Sequence, residues 1–453
     1  MQENKLKARD QHKSADKQRA TPARKSWLTS FGTLLVVLLI IATSIILFVL
    51  RGITNQASSP LSTPPAAGQW VNLDNRYLFS SLEAAPTNPA LLYACASPYP
   101  QPQQGQSPQY TLLRSDDFGA HWQDLSKQVT LRDFCQFTIN PANGNELFVV
   151  TAGTPTGGNT PDVLKQSSDG GKTWKTLQSR LQDGQANVTW HVQQLRQVGH
   201  DLFGIQWTSP LASNVTQLST TTPSRLVHSS DEGQTWTPIT NPAASITLIV
   251  HDYAVNPNDT RTIYEIAGPP PRLSEPGITP GAKTTLMTLY KTTDGGANWQ
   301  QLLNDILPDS TLQLASAKPT TLFVGEAMSN RALNDTSVPM LSSTAPISFR
   351  IRTSTDGGAT WQTTLQVQGA SGFVHGWFST IDGQLYALSS ANGSNNSTIR
   401  RYDPASKQWN DVTKPPQPGD LLAVTPTGTN NGAVFWLRSF VGGKTALYRY
   451  VSG

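Results

Sequence analysis

The sequence TTDGGANW, from Thr292 to Trp299, is one of five copies of a Ser/Thr-x-Asp-x-Gly-x-x-Trp motif in this chain. The aspartates of successive copies are 52, 62, 63 and 62 residues apart. Repetition at a nearly fixed period predicts an array of similar structural units. The motif residues are Ser115, Asp117, Gly119 and Trp122; Ser167, Asp169, Gly171 and Trp174; Ser229, Asp231, Gly233 and Trp236; Thr292, Asp294, Gly296 and Trp299; and Ser354, Asp356, Gly358 and Trp361.

Each copy has the residue types of a tight turn between two strands. Aspartate can bond the backbone a few residues further on, and glycine accepts the positive φ that such turns require. The leading hydroxyl can brace the same turn, and the tryptophan supplies a large apolar surface for packing. Apolar strand-like residues precede and follow every copy. The motif therefore predicts a β-hairpin turn.

The five motifs resemble the Asp-box, or BNR, repeat of sialidase-like β-propellers, sortilin-like receptors, some glycoside hydrolases and photosystem II assembly factors. The resemblance covers residues 68–453, and two copies depart from it because His121 and Asn298 replace the usual threonine. In that family the box closes the hairpin between the third and fourth strands of a blade, away from the active site. The resemblance thus implies a structural role for the motif and no catalytic residue within it.

The chain between the boxes indicates four strands per unit, which is the composition of a propeller blade. Five blades carry a box, a sixth has the degenerate version RYDPASKQW (residues 401–409), and a seventh ends one strand short. The segment GQWVNL (68–73) resembles the strand that follows a box, so we expect it to complete the last blade. We predict an all-β fold with a single propeller of seven blades, with six or eight as alternatives.

The first 67 residues differ from the rest. Residues 1–26 form a basic tail, 27–50 are uncharged and apolar, and 51–67 are rich in proline and serine, which predicts a flexible stalk. Twenty-four residues in a helix span about 36 Å, enough to cross a membrane. We expect one transmembrane helix with a cytoplasmic N-terminus and an extracytoplasmic propeller (68–453), because the basic side is N-terminal. A cleaved signal peptide is the alternative, although its apolar region would be shorter.

The charge is concentrated at the N-terminus. Residues 1–51 hold nine Lys/Arg and three Asp/Glu, which leaves 25 basic and 27 acidic residues in the remainder. A nearly neutral propeller argues against a nucleic-acid partner.

The two cysteines, Cys95 and Cys135, fall in neighbouring repeats, and an export compartment permits a disulfide between them. Two cysteines and seven scattered histidines indicate no metal site, and no cofactor is expected.

The repeats exceed the usual length of a blade because of long inserts between their second and third strands. Successive hairpins emerge on opposite faces, so the inserts should all lie on the face opposite the boxes. Loops on a rigid scaffold often bind ligands. The alternative is that the inserts are solvent-exposed, low-complexity loops with no binding role. The inserts span residues 97–109, 153–162, 207–224, 267–284 and 326–346.

The resemblance leaves three functions open. Family sialidases use three arginines, a Tyr–Glu pair and an aspartate, and their first arginine precedes the first box, where no matching segment occurs here. The similar Phe349-Arg350-Ile351-Arg352 runs directly into a box. We therefore favour a non-catalytic membrane protein that binds a protein or glycan through the inserts. A sialidase-like glycoside hydrolase and an assembly factor for a membrane complex are the alternatives.

Overall fold

A computed structural model describes the chain from residue 65 onwards, with gaps. The described ranges are 65–100, 109–129, 131–132, 135–152, 162–177, 180–181, 189–209, 224–241, 249–268, 286–307, 310–329, 347–367, 372–391, 397–427 and 432–453. The expected cytoplasmic tail, the expected transmembrane helix (27–50) and most of the expected stalk lie outside them. Within these ranges the search for a long apolar helix of membrane-spanning length finds none.

The described residues form seven antiparallel sheets of four main strands each, which confirms the seven-bladed propeller. Thirty strands make up these sheets, and two of them, β6 and β11, are short additions at sheet edges. The strands of blades 1 to 3 are β2 Tyr77–Ala85, β3 Asn88–Pro98, β4 Gln109–Ser115, β5 Gln123–Asp124, β6 Leu131–Arg132, β7 Gln136–Asn140, β8 Asn143–Ala152, β9 Asp162–Ser167, β10 Lys175–Thr176, β11 Arg180–Leu181, β12 Thr189–Val198, β13 Asp201–Ser209, β14 Ser224–Ser229 and β15 Thr235–Ile239.

Blades 4 to 7 follow the same order. Their strands are β16 Ile249–Val255, β17 Ile263–Gly268, β18 Met287–Thr292, β19 Gln300–Ile306, β20 Ser310–Leu314, β21 Leu322–Ser329, β22 Ile347–Ser354, β23 Gln362–Val367, β24 Gly372–Ser379, β25 Leu385–Ala391, β26 Ser397–Asp403, β27 Gln408–Thr413, β28 Asp420–Pro426, β29 Ala433–Val441, β30 Lys444–Val451 and, from the start of the chain, β1 Trp70–Asp74. The first strand of each blade is the innermost and the fourth is the outermost.

The hydrophobic core lies between the blades. Seven clusters of buried side chains form it, and each cluster joins two neighbouring blades. Between blades 4 and 5, for example, Ile266 and Leu289 pack against Leu312 and Val324, all at most 1% exposed. Each sheet buries both of its faces, as blade packing in a ring requires. Stability therefore depends on every blade having two neighbours.

Strand β1 closes the ring. It pairs with β30 from Trp70↔Tyr450 onwards, and the Gly68 N–H donates to the Val451 carbonyl at 2.9 Å. The Trp70 ring packs on Tyr450, and its Nε1 donates to Thr413 Oγ1 of blade 6 at 3.1 Å. The expectation that GQWVNL completes the last blade is confirmed. This closure pairs the edge strand that blade 7 would otherwise leave open.

Each of the five motifs forms the same hydrogen-bonded turn. The Ser or Thr hydroxyl donates to the Asp Oδ1 at 2.8 Å and accepts from the glycine N–H at 2.8–2.9 Å. The Asp carboxylate also binds the residue four positions later through its backbone N–H and its side chain. His121 and Asn298 make this side-chain contact in place of threonine, at 2.5 and 2.8 Å. All three residue types supply the donor that the turn needs.

The motif glycines bring each blade close to the preceding one. All five have φ between 83° and 101°. A methyl group at Gly171 would lie 2.5 Å from Leu125 of blade 1, and one at Gly119 would lie 3.0 Å from Leu73 of β1. The other three glycines face Leu164, Ile239 and Leu302 of their preceding blades in the same way. Glycine is required here for conformation and for close approach.

A disulfide joins blades 1 and 2 near their inner strands. It links Cys95, which is fully buried in β3, to Cys135, which directly precedes β7, with a Cα–Cα distance of 5.8 Å. The bond closes a loop of 40 residues. In the chain-entropy model, such a loop contributes about 3–4 kcal/mol to stability.

Ring closure can be tested at Trp70. We expect Trp70→Ala to lower the free energy of unfolding by about 2 kcal/mol, because it removes a half-buried aromatic side chain and its bond to blade 6. Urea denaturation followed by circular dichroism measures this loss. Val71→Ala is the matched control, since Val71 is adjacent in β1 but 41% exposed, and should change stability by less than about 0.5 kcal/mol. Equal effects of the two variants would contradict a closing role for the strand.

The box carboxylates should contribute to acid stability. Bonds from the Thr360 side chain and backbone, and then from Ser354, lower the pKa of Asp356 from its ordinary 3.8 to about 2. A lowered folded-state pKa contributes stability above the unfolded value, which is lost as the pH falls through the folded value. We therefore expect the wild type to lose stability between about pH 4 and pH 2. In Asp356→Asn this loss should be smaller, and the variant should be less stable at neutral pH.

Urea midpoints measured across this pH range test the prediction. Asp411→Asn controls for the change of net charge, because it removes an exposed carboxylate outside the five boxes. If both variants show the same acid profile, the box carboxylate has no special role.

Candidate functional site

The ring has two different faces. Every box lies at the same end of its blade as the turn between strands 1 and 2, and the two turns are bonded to each other, as between the Gly357 N–H and the Thr320 carbonyl at 2.8 Å. We call this end the box face. The connections between strands 2 and 3 emerge at the opposite end, which we call the loop face. The chain enters β1 on the box face, since Trp70 pairs with Tyr450 near the end of β30.

The five predicted inserts lie largely outside the described residues, but the strands that carry them are defined. Their actual bounds are narrower than the sequence suggested, because several begin or end within a strand. The clearest case is the insert at 326–346, whose first four residues belong to β21. The undescribed segments between paired strands are 101–108, 153–161, 210–223, 269–285 and 330–346.

An aromatic patch lies on the loop face where blade 7 meets blade 1. The side chain of Phe440 is 55% exposed and that of Val441 is 42% exposed, both at the end of β29. Tyr99, beyond β3, packs edge-on against Phe440 at 5.7 Å and donates its hydroxyl to the Gly443 carbonyl. Exposed aromatic side chains beside polar loops are typical of binding surfaces. The repeat pattern did not predict this patch, although the sequence FVGG (440–443) is typical of a hairpin turn with apolar residues at its tip.

The two arginines of the sialidase-like segment form a buried ion cluster. Arg350 and Arg352 each bind both carboxylate oxygens of Glu326 at 2.8–3.0 Å, and Glu326 is fully buried. Arg352 also binds Asp305 at 2.5 Å, and Glu326 accepts from the Leu307 N–H at 3.3 Å. Burial alone would lower the pKa of Arg350, but its bonds to Glu326 raise it. This cluster fixes the connection from blade 4 to blade 5, and both guanidinium groups are occupied within it.

Other arginines lie at different blade interfaces. Arg196 of β12 binds Asp252 of blade 4 at 2.9 Å, and its guanidinium lies 4.8 Å from the centre of the Tyr253 ring. Burial raises the pKa of Tyr253, whose hydroxyl donates to the Gln194 carbonyl at 2.6 Å. Arg438 binds Asp420 and the Phe79 carbonyl between blades 7 and 1. These arginines and those of blade 5 thus serve three separate interfaces.

The central channel contains an isolated carboxyl group, Glu83. It belongs to β2, the inner strand of blade 1, and interacts electrostatically with Arg196 of blade 3. The side chain is exposed to solvent within the channel but surrounded by protein, which explains how an accessible group can still be poorly hydrated. Desolvation raises its pKa to about 7, and Arg196 acts against that rise.

A second carboxyl group with a raised pKa lies away from the channel. Glu265 of β17 is 1% exposed, and its Oε1 accepts from Asn241 at 3.3 Å. Its other oxygen has no hydrogen-bond partner among the described residues. Burial raises its pKa to about 7. The position between blades 3 and 4, closed to solvent, makes this group structural. Neither glutamate was singled out from the sequence, and the only available signal was a charged residue inside an apolar strand.

Metal binding has no support in the described ranges, where no group of three or more His, Cys, Asp or Glu side chains could hold an ion.

Comparison with known proteins identifies the fold. The chain resembles a structure of oligogalacturonate lyase in complex with manganese, with a TM-score of 0.51 and 13% identity over 86% of this chain and 95% of that one. It also resembles YCF48 from Cyanidioschyzon merolae, with a TM-score of 0.47 and 10% identity over 85% of this chain and 99% of that one. A third similar structure is hydrazine synthase of Kuenenia stuttgartiensis, with a TM-score of 0.47 and 11% identity over 85% of this chain and 98% of that one. No family model matches the sequence, and no curated protein matches it. At 13% identity, the likeness to the oligogalacturonate lyase structure bears on the β-propeller fold alone.

The raised pKa of Glu265 predicts a pH dependence of stability. The folded state holds the proton more tightly than the unfolded state, whose pKa is near 4.5. The contribution of Glu265 to stability is therefore largest below the unfolded value, and it falls by about 3 kcal/mol as the pH rises towards about 7. Glu265→Gln should remove this contribution to the slope of the free energy of unfolding against pH, whatever the absolute stability of the variant.

Chemical denaturation between about pH 5 and pH 8 measures the slope. Glu232→Gln, at an exposed position in a box turn, removes the same charge and should keep the wild-type slope. A Glu265→Gln variant that also keeps the wild-type slope would contradict the assignment.

Proposed function

We propose that this protein is a non-catalytic, membrane-anchored propeller of the Asp-box (BNR) type, located outside the cytoplasmic membrane. In this proposal residues 27–50 anchor the chain, and a protein or glycan partner binds to the loop face. The ring is a rigid scaffold, and the inserts together with the Tyr99–Phe440 patch provide the binding surface.

The observation that carries the proposal is the contrast between the two faces. On the box face, the Asp-box hydroxyls, carboxylates and glycines are engaged in turns and in packing against the preceding blade. The strand ends that carry all five long connections lie on the loop face, as does a patch where Phe440 is 55% exposed. Exposed apolar surface and long loops on one rim favour a binding role for that rim.

The hydrolase alternative receives less support from the described residues. A sialidase-like site needs arginines free to clamp a carboxylate, but both arginines of the Phe-Arg-Ile-Arg segment are bound to Glu326. Turnover of a fluorogenic sialoside by the purified full-length chain, abolished by Arg350→Ala, would favour this alternative. An assembly factor for a membrane complex would instead co-purify with membrane subunits and need the anchor.

Partner capture by loop-face variants tests the binding proposal. Residues 269–285 and 330–346 are replaced together by short Gly/Ser linkers, which leaves Glu326 and β21 intact. In a second variant, Phe440→Ser alters the described patch alone. The bait is the full-length chain in detergent, probed with the solubilised envelope fraction and with a glycan array. We expect both variants to lose about 90% or more of one specific partner, as for removal of a binding hot spot.

Val71→Ser is the matched control, because it removes an exposed apolar side chain of blade 7 away from the loop-face patch. It should capture the partner as the wild type does. Capture that is unchanged by both loop-face variants, with their folding verified by circular dichroism, would contradict the proposal.

A further inference from the structure

A cavity of about 650 Å³ opens on the box face, at the mouth of the central channel. The inner strands of blades 6, 7, 1 and 2 and their adjoining turns surround it. Its walls are mainly aliphatic and aromatic, and include Leu82, Ile139, Phe378, Ala423 and Val424. The volume is in the range of pockets that enclose small organic ligands. This cavity is separate from the loop face, so an inference about it does not depend on the proposed function.

The charged group in the wall of this cavity is Glu83. The carboxylate makes no hydrogen bond or ion pair with the described residues. Arg196 of blade 3, which interacts electrostatically with Glu83, is paired with Asp252 at 2.9 Å, and the other oxygen of Asp252 accepts from the Leu312 N–H at 2.7 Å. The positive charge of Arg196 is thus already balanced by Asp252. Above its pKa of about 7, Glu83 adds one negative charge that has no counter-ion of its own.

An unpaired carboxylate in an apolar cavity selects a particular ligand. A cation that supplies hydrogen-bond donors compensates the poor hydration of the carboxylate, and an apolar body fills the rest of the space. An anion would be repelled, and a neutral apolar molecule would leave the carboxylate without a partner. From this geometry and charge, we propose that the cavity binds a small organic monocation with a compact apolar body, whose ammonium group contacts Glu83.

The entrance of the cavity fits this class of ligand. Thr87 lies exposed at its rim, and the turn that contains it leaves the cavity open towards the box face. Recognition would combine one ion pair with broad apolar contact.

Binding of 1-adamantylamine to the full-length chain tests the proposal, with adamantan-1-ol as the neutral probe of the same shape. Isothermal titration calorimetry or ligand-observed NMR at about pH 8 provides the dissociation constants, because Glu83 is mostly ionised and the amine is still protonated there. We expect the amine to bind the wild type, and Glu83→Gln to weaken it about tenfold or more, as for loss of a charged hydrogen bond. The alcohol should bind the wild type about tenfold more weakly than the amine.

Two further variants complete the design. Glu232→Gln removes the same charge on the same face but outside the cavity, and should bind the amine as the wild type does; it also corrects for partition of the probe into detergent. Thr87→Trp should obstruct the entrance and weaken binding without changing any charge. The proposal is overturned if the amine does not bind, if Glu83→Gln binds it unchanged, or if amine and alcohol bind equally well.

Discussion

The contact between each motif glycine and an aliphatic side chain of the preceding blade determines how closely the blades approach. The Ser/Thr–Asp hydrogen bonds hold the turn in the one conformation that directs the glycine at its neighbour. A larger residue would push two blades apart, as the contact of Gly171 with Leu125 illustrates. Because all seven hydrophobic clusters lie between blades, a change in this spacing would expose core at one interface and strain the closure of the whole ring.

Two kinds of charged group occur in the ring. In the cluster of Arg350, Arg352 and Glu326, each charge has a partner, and the cluster serves as a fixed joint between blades 4 and 5. Glu83 and Glu265 are instead incompletely paired, and for both, desolvation raises the pKa to about 7. The first opens into the channel and the second is enclosed between blades. The two glutamates therefore have similar pKa values but different roles. Glu83 is accessible to a ligand, whereas Glu265 is closed to solvent and is structural.

The repeated motif made most of the fold predictable. Its spacing and the matching segment GQWVNL predicted the seven blades and the closing strand, because both depend on local patterns that recur along the chain. His121 and Asn298 depart from the threonine that is usual at their position in the motif. Both side chains nevertheless supply the hydrogen-bond donor that binds the aspartate of their own motif. The sequence predicts that Glu326 begins the 326–346 insert, but the structure buries it in β21, and its burial depends on arginines more than twenty residues away. Glu83 and Arg196 likewise belong to different blades, and only the closed ring brings them together.

The closing strand also determines how the ring would respond to a mechanical load. The first residues of β1 and the last residues of β30 lie side by side, with Trp70 opposite Tyr450. A force that pulls the N-terminal segment against a partner held on the loop face would slide β1 along β30, so that all hydrogen bonds of the ladder resist together. A force that separates the N-terminal segment from residues 451–453 would break the same bonds one at a time. The propeller should therefore withstand tension across its two faces far better than tension between its adjacent ends.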